Sequence, residues 1–504
     1  MQHRLRWIVV GLLLALTVLT RVPAPFAMEV TNDEMLHLQS WRNRYDTDNI
    51  HPEFIERFEK SAKFNQSSAR VTLVKKLYWS SPLFQRLALT IHDAHPPAFP
   101  VLAELTQKLT GSSLVALRCL SVVASLASVC VAYLLGRELG GPTLGWWTAG
   151  FLASASIHQM FAGLGRPYAL GTLAALGAVH AFVLDRKRDY RTPWRFYLSA
   201  LAAQSVLWLL WPTLLPLVLV TAWYAWRRLG MAGLVKATWW YALASLLLFA
   251  YLQVQTQHPQ YVGEVLNNSI FRAGVWLFFT RIAHATPFGH LAARGTAGIV
   301  VSGLVFFALA AAGAVHLARL DAKAAPWRTG LLAAFAVSIG IMLLTGRQRD
   351  TMVFLLVPTV VAAVGAHTLC RNELASRAVL AGFLAVFTVV SLFFPDDPYR
   401  YVVAGDTRYA EIARRLAAEI KPGDTWVALP EFRGRVFYRC ASLPEPLQVT
   451  SLPELQQAIA ERSSAGSLFV FSRYDYPELR QTLVSGDQLW VFPKDYAIAR
   501  FAPR

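Results

Sequence analysis

Two adjacent acidic residues, Asp33 and Glu34, follow the first long apolar segment of the sequence. A carboxylate at the mouth of a membrane cavity can act as a general base that takes a proton from a hydroxyl group. Two carboxylates can also bind a metal ion, although two ligands make a sparse site. Alternatively, Asp33 caps the helix that follows and Glu34 lies in its first turn. The dipeptide alone leaves these interpretations open.

Asp93 and His95 lie at the end of the next polar stretch, in His92-Asp93-Ala94-His95-Pro96-Pro97. Two histidines and an aspartate within four residues are possible metal ligands. The two prolines stop a helix, so the spacing is not that of a helical metal motif. A junction between a loop and a helix, with both prolines in the first helical turn, explains the pattern better. The prediction is that no cofactor or metal is required, with a divalent cation as an option.

Arginines between apolar segments form the third group of candidates. Arg166 precedes one apolar segment, with Tyr168 two residues later, while Arg347 and Arg349 lie beside Asp350 between two others. The topology predicted below places all three arginines on the outer face, against the usual charge bias of membrane proteins. Each therefore needs an anionic partner, which could be a lipid headgroup, a phosphate or, for Arg347 and Arg349, the carboxylate of Asp350.

The composition indicates a membrane protein. Charged residues make up only 16% of the 504 residues, hydrophobic residues make up 55%, and the mean hydropathy is +0.38. Soluble globular proteins carry about 25% charged residues. The apolar segments predict about eleven membrane-spanning helices. They cover residues 7–27, 114–135, 145–162, 168–184, 197–211, 212–226, 238–255, 297–317, 328–345, 351–369 and 378–394.

Charge in the loops predicts the orientation. With the N-terminus inside, the cytoplasmic segments are 136–144, 185–196, 227–237, 318–327 and 370–377, and each contains arginine or lysine. This positive-inside pattern also explains the net charge of +17 without a nucleic-acid partner. We interpret the first segment as a retained span rather than a cleaved signal peptide. An odd number of spans then places the C-terminus outside.

The predicted fold class is a polytopic α-helical membrane protein with a small C-terminal soluble α/β domain. The transmembrane domain covers residues 1–395, with outer loops at 28–95, which has amphipathic helices, and at 256–295. The pattern of residues 396–504 alternates helices with apolar strands, which predicts an extracytoplasmic α/β domain. We expect a monomer in the bacterial plasma (inner) membrane, in contact with membrane lipids.

Several of these motifs, in this order, resemble the GT-C superfamily of integral-membrane glycosyltransferases. The likeness is strongest to the protein-mannosyltransferase and lipid A aminoarabinose-transferase branch (glycosyltransferase family 39-like). The matching motifs are Asp33-Glu34, His95-Pro96-Pro97, Tyr133-Leu134-Leu135-Gly136-Arg137 and Arg166-Pro167-Tyr168-Ala169-Leu170. Leu164 stands where the branch has a glutamate, so this sequence lacks the acidic side chain that the branch carries in that loop.

The resemblance implies transfer of a monosaccharide from a polyprenyl-phosphate-linked donor on the outer membrane face, with inversion at the anomeric carbon. Asp33 is then the candidate base and Glu34 its catalytic neighbour. The residues expected to bind substrate are Arg166, Tyr168, Arg347, Arg349, Lys75, Lys76, Asp93 and His95. The acceptor can be a glycan, a lipid or a protein. Two alternatives are a transporter or flippase for lipid-linked sugars and a non-catalytic protein of envelope-glycan assembly.

Overall fold

The computed structural model describes residues 2–22, 98–393 and 407–503, with gaps inside the last two ranges. The gaps are 111–112, 186–192, 208, 257–274, 293, 321–324, 346–351, 371, 429–443, 445–446, 448, 450–451, 462–465, 474–476 and 493–495. The described residues divide into two compact units, one helical and ending at residue 393, the other beginning at residue 407.

The first unit consists of helices. They are α1 (Gln2–Arg21), α2 (Ala98–Thr110), α3 (Ser113–Gly140), α4 (Pro142–Ser154), α5 (Ser156–Gly163), α6 (Pro167–Asp185), α7 (Trp194–Val206), α8 (Leu210–Thr256), α9 (Val275–Ala285), α10 (Gly289–Ala292), α11 (Thr296–Arg319), α12 (Ala325–Thr345), α13 (Leu356–Leu369) and α14 (Glu373–Phe393). In the described part of the chain, six of them (α1, α3, α6, α8, α11 and α14) are long and apolar enough to cross a membrane, and α12 and α13 are shorter apolar helices. The predicted multi-pass helical architecture is confirmed.

Helix α8 is bent back on itself at Gly230. This residue has φ 69° and ψ 178°, a backbone conformation that glycine adopts without steric cost. Leu215 before the bend and Ser245 after it line the same cavity of about 400 Å³, so the two halves of the helix run side by side. This agrees with the prediction of two separate spans, 212–226 and 238–255.

The predicted hairpin at Trp211-Pro212 lies a few residues earlier than expected. Helix α7 ends at Val206, Leu207 is extended with φ −151°, and α8 begins at Leu210. Pro212 therefore lies in the first turn of α8 instead of ending the preceding helix. Proline is tolerated there because the first N–H groups of a helix have no partner within the helix.

The predicted span 145–162 is two helices rather than one. Helices α4 and α5 are separated at Ala155, where φ is −64° and ψ is 114°. An extended residue inside an apolar helix leaves main-chain carbonyl groups of the preceding turn without their usual helical partners. The hydrogen bonds that replace these partners are central to the site described below.

Glycines let two pairs of helices approach each other closely. A Cβ atom at Gly136 would collide with Thr148 of α4, so the glycine of the Tyr-Leu-Leu-Gly-Arg motif has a packing role. A Cβ at Gly313 in α11 would collide with the carbonyl oxygen of Val361 in α13, and one at Gly365 with that of Leu309. At this second crossing, backbone packs directly on backbone.

The C-terminal unit is an α/β domain with a four-stranded sheet. Its elements are α15 (Thr407–Glu419), β1 (Thr425–Ala428), α16 (Leu452–Ala460), β2 (Leu468–Arg473), α17 (Pro477–Val484), β3 (Gln488–Phe492) and β4 (Tyr496–Phe501). The strand order is β1-β2-β4-β3, with β1 and β2 parallel and the other pairs antiparallel. The predicted α/β character of this region is confirmed.

Alternating side chains give this sheet two apolar faces. Trp426, Phe469 and Ile498 pack with Leu416 of α15 on one face. In each strand, the residues next to these contribute to the core on the other face. There, α16 and α17 supply Leu455 and Leu483. Strands β1, β2 and β4 are buried on both faces and are nearly continuous in hydrophobicity, as expected for buried strands, whereas Val491 of the edge strand β3 is exposed.

Candidate functional site

The described part of the chain contains two of the predicted site residues, Arg166 and Tyr168. The other predicted residues lie outside it, so their roles stay predictions. They are Asp33, Glu34, Lys75, Lys76, Asp93, His95, Arg347 and Arg349. The amphipathic helices expected in loop 28–95 are also outside the described residues.

Arg166 lies in the three-residue turn between α5 and α6. Its main-chain N–H donates to the carbonyl of Leu164 at 2.8 Å, and its own carbonyl accepts a hydrogen bond from Ser121 Oγ of α3 at 3.2 Å. Only 5% of Arg166 is exposed. The turn is therefore held to α3 through the main chain, and α6 begins immediately afterwards with Pro167, a residue well suited to the first helical position.

Tyr168 is directed toward the same turn. The Cζ atom of Arg166 is 5.9 Å from the centroid of the Tyr168 ring, within the range of a cation–π contact. The ring of Phe161 in α5 lies 4.6 Å from that of Tyr168, centroid to centroid. A guanidinium group close to the N-terminus of α6 is a suitable place for an anion, since both favour negative charge.

Leu164 occupies the position where the resembling branch has glutamate. Its backbone is extended, with φ −95° and ψ 135°, and its side chain is 5% exposed. This residue ends α5 and cannot supply a proton or a metal ligand. An acidic function in this turn would need a residue from elsewhere in the chain.

A second arginine, Arg21, is buried beside α3, one helical turn from Ser121, the residue that donates to the Arg166 carbonyl. Its Nε donates to Ser125 Oγ at 2.8 Å, and Ser125 is four residues after Ser121. Both terminal nitrogens donate to the carbonyl oxygen of Ala153 at 3.2 Å, and Nη2 also reaches that of Leu152 at 3.4 Å. Arg21 therefore hydrogen-bonds the carbonyls next to the break between α4 and α5. We call Arg21, Ser121, Ser125 and Arg166 the two-arginine region.

Three polar side chains extend this region across the helical unit. Gln159 Nε2 also donates to the Ala153 carbonyl, at 2.9 Å, and Gln159 Oε1 is 3.2 Å from His290 Nε2. Ser391 Oγ lies 3.0 Å from the same histidine nitrogen and 3.3 Å from Gln159 Nε2. The network joins α5, α10 and α14, and all three residues are buried.

These network residues were not among those predicted from the sequence. Gln159, His290 and Ser391 are separated by up to about 230 positions in the chain and belong to no recognisable motif. The available signal was the presence of polar residues within predicted membrane segments or next to them, which marks functional candidates by default. Arg21, which lies within the first predicted span, is fully buried against main-chain carbonyls.

No group of three or more histidine, cysteine, aspartate or glutamate side chains could hold a metal ion among the residues with described positions. Asp33, Glu34, Asp93 and His95 lie outside those residues. The option of a divalent cation accordingly stays a prediction.

Comparison with solved structures gives the fold class. The chain is similar to ArnT from Cupriavidus metallidurans in the apo state, with a TM-score of 0.53 and 13% sequence identity, covering 82% of this chain and 89% of ArnT. ArnT bound to undecaprenyl phosphate matches with a TM-score of 0.53, 12% identity and the same coverage. Archaeal AglB from Archaeoglobus fulgidus matches less well, with a TM-score of 0.46, 13% identity, and coverage of 93% of this chain and 69% of AglB.

No protein-family model and no curated protein sequence matches the chain. The structural similarity nevertheless shows that the chain shares the fold of ArnT, in agreement with the GT-C-like fold that the motifs predicted. Within that fold the likeness is to ArnT, at an identity that establishes architecture and not activity.

Proposed function

We propose that this protein transfers a monosaccharide from a polyprenyl-phosphate-linked donor to an acceptor hydroxyl on the outer face of the membrane, with inversion at the anomeric carbon. The observation that supports this most directly is the buried Arg166, held at the start of α6 in a fold similar to that of ArnT. ArnT has been solved with undecaprenyl phosphate bound, so this fold accommodates a polyprenyl phosphate.

The proposed reaction exchanges one C–O bond for another. The acceptor hydroxyl oxygen attacks the anomeric carbon, and the bond from that carbon to the donor phosphate breaks. The lipid phosphate leaves with the bonding electron pair, and Asp33 takes the proton of the hydroxyl group. Glu34 lies beside this base as the second catalytic carboxylate.

The positively charged residues are proposed to stabilise the departing phosphate. Arg166, oriented by Tyr168, is the described member of this group, and Arg347 and Arg349 are further candidates. Electrostatic groups fixed before the reaction are often the largest contribution to catalysis, because they need no reorganisation as charge develops. Lys75 and Lys76 are proposed to hold the headgroup, with Asp93 and His95 near the sugar or the acceptor.

The domain division follows from this proposal. Residues 1–395 form the transferase domain in the bacterial plasma membrane, and residues 396–504 form a domain outside the cell membrane. A polar region at one end of the helices suits a lipid donor, because the phosphate stays at the membrane surface while the isoprenoid chain stays in the bilayer.

The test is turnover of a labelled donor. Purified full-length protein in liposomes is incubated with polyprenyl-phosphate monosaccharides radiolabelled in the sugar, and with glycan, lipid and peptide acceptors. We expect label to move to one acceptor class with release of polyprenyl phosphate. If the donor crosses the bilayer intact and keeps its sugar, the protein is a flippase. If it neither moves nor reacts with any acceptor, the assembly-protein alternative is favoured.

A further inference from the structure

A cavity of about 470 Å³ lies at the opposite end of the helical unit from the two-arginine region. Gly140, which lines the cavity, is about 28 Å along α3 from Ser121 at a rise of about 1.5 Å per residue. The ends of α3, α11 and α13 and the beginning of α14 form the walls. Because these helices are apolar and end here, the cavity opens near a membrane surface. The proposed reaction does not use it.

The charge of the lining favours a positively charged group. Glu373 is the one charged residue among the described residues that line the cavity. Helices α3, α11 and α13 end at the cavity while α4 and α14 begin there, so the opposite partial charges of these helix ends largely offset one another and the Glu373 carboxylate sets the charge of the lining. Arg377 is bonded to Glu373 but does not line the cavity.

Glu373 retains an oxygen that can accept a hydrogen bond. Arg377 Nη2 donates to Oε2 at 3.2 Å, and Thr143 Oγ1 donates to the same oxygen. Both contacts therefore use Oε2, which leaves Oε1 as the acceptor for a ligand. Half of the Glu373 side chain is exposed, so this acceptor is accessible.

His367 provides a hydrogen-bond donor in the same cavity. Trp147 Nε1 donates to Ser376 Oγ at 2.9 Å, and Ser376 Oγ is 3.0 Å from His367 Nδ1. The serine hydroxyl accepts from the indole N–H and has its own proton to donate to Nδ1. When it does so, the neutral imidazole carries its proton on Nε2. His316, from the last turn of α11, lies near His367 and also lines the cavity.

The remaining lining is apolar and includes Leu144, Leu317 and Val364. A water molecule occupies about 30 Å³ in the liquid, so the cavity is much larger than a single hydrated group requires. The cavity therefore combines a hydrogen-bond acceptor, a hydrogen-bond donor and an apolar wall. This combination matches an amphiphile whose headgroup carries both a primary ammonium group and a phosphate.

We propose that this cavity binds the headgroup of phosphatidylethanolamine from the adjacent membrane leaflet, with its ammonium group on Glu373 and its phosphate on His367. A choline headgroup has no N–H to donate to Glu373 Oε1, which makes the site selective. This lipid site lies on the face opposite to the proposed chemistry and does not depend on the proposed function.

The experiment measures lipid binding to delipidated, purified full-length protein by native mass spectrometry. Phosphatidylethanolamine and phosphatidylcholine with identical acyl chains are compared, with soluble phosphoethanolamine as a third ligand. We expect wild-type protein to prefer phosphatidylethanolamine over phosphatidylcholine by about tenfold or more, equivalent to about 1.4 kcal/mol. Equal binding of the two lipids would overturn the proposal. Equal binding of phosphoethanolamine would show that the ligand is a soluble ammonium compound and not a lipid.

Variants locate the site. Glu373→Gln keeps the side-chain shape and its acceptor for Thr143, and we expect it to reduce the preference to below about threefold, or about 0.6 kcal/mol. Leu320→Trp fills the cavity without removing a charge, and we expect weaker phosphatidylethanolamine binding. Glu138→Gln, the control, removes a carboxylate near the end of α3 that does not line the cavity, and should behave as wild type. Retained selectivity in a folded Glu373→Gln protein contradicts the proposal, as does unchanged binding in Leu320→Trp.

Discussion

Arg21 at the end of α1 donates hydrogen bonds from both of its terminal nitrogens to the main-chain carbonyl oxygen of Ala153, at 3.2 Å each. Ala153 lies two residues before the break between α4 and α5, where helical hydrogen bonding is interrupted. An unsatisfied carbonyl in the hydrocarbon region costs several kcal/mol. A guanidinium group, with five N–H donors in a fixed plane, can satisfy several such acceptors at once. The break in α4–α5 and the buried arginine therefore stabilise each other.

Replacing Arg21 tests this relationship. We expect Arg21→Met to destabilise the protein by about 1–3 kcal/mol for each buried acceptor left unsatisfied. The Leu152 carbonyl loses this donor, whereas the Ala153 carbonyl keeps the bond from Gln159 Nε2. Arg21→Lys should recover only part of this loss, because an ammonium group has three N–H donors where the guanidinium group has five. The measurement is the thermal unfolding midpoint of the full-length protein in detergent. Arg6→Met on the exposed side of α1 is the control, and equal midpoints for Arg21→Met and Arg6→Met would show that the contacts contribute nothing.

The close crossing of α11 and α13 predicts a second stability effect. Gly365→Ala places a Cβ against the carbonyl oxygen of Leu309, and backbone cannot move aside as a side-chain tip can. We expect a loss of about 1–3 kcal/mol, the usual cost of overpacking. Gly382→Ala in α14 meets nothing within 4 Å, so it should be neutral or stabilise by up to about 1 kcal/mol. The measurement is the denaturation midpoint of both variants under identical conditions. Similar midpoints would rule out a tight crossing of α11 and α13.

Arg166 is expected to bind the donor phosphate through geometry as well as charge. Arginine can make two parallel hydrogen bonds to a phosphate, whereas lysine acts as a point charge. We expect Arg166→Lys to lower turnover by about a hundredfold, the lower end for loss of one fixed electrostatic donor, and to weaken donor binding. Arg319→Lys, on an exposed residue at the end of α11, is the matched control. Wild-type kinetics in Arg166→Lys would restrict Arg166 to holding the turn between α5 and α6.

Asp33 is the predicted catalytic base, and Asp33→Asn separates that role from helix capping. Asparagine caps helices about as well as aspartate does, so folding should be retained. It cannot accept a proton at neutral pH, and we expect turnover to fall by at least about a hundredfold. Glu34→Gln should have a smaller effect. A stable and fully active Asp33→Asn protein would mean that the base lies elsewhere.

Arg347, Arg349 and Asp350 form a predicted group in which one arginine binds phosphate and the other pairs with the aspartate. We expect one of Arg347→Lys and Arg349→Lys to reduce donor affinity and turnover while the other is tolerated. Asp350→Asn reports on the ion pair through stability. If both lysine variants are fully active and Asp350→Asn misfolds, the group is structural. Phosphate binding would then fall to Arg166, Lys75 and Lys76.

Local patterns in the sequence were sufficient to predict most of the helices and strands. The predicted apolar segments 168–184 and 297–317 correspond to α6 and α11, and 378–394 corresponds to most of α14. The agreement arises because length and hydropathy decide where a helix can span a bilayer. The strands of the C-terminal domain could also be predicted, because short apolar runs such as 467–472 are bounded by polar residues. The motif around Arg166 also identified a buried functional candidate.

Only the tertiary structure shows which hydrogen-bond partners each polar group has. Nothing near Arg21 in the sequence indicates that its partner is the Ala153 carbonyl, because the two are 132 positions apart and the interaction depends on a helix break at an ordinary Ser-Ala-Ser sequence. The same holds for Trp147, Ser376 and His367, which share a hydrogen-bond network across three helices. Hydropathy and periodicity are local properties of the chain. Hydrogen bonds and cavities between helices depend on rotation and register, which arise only when the helices pack.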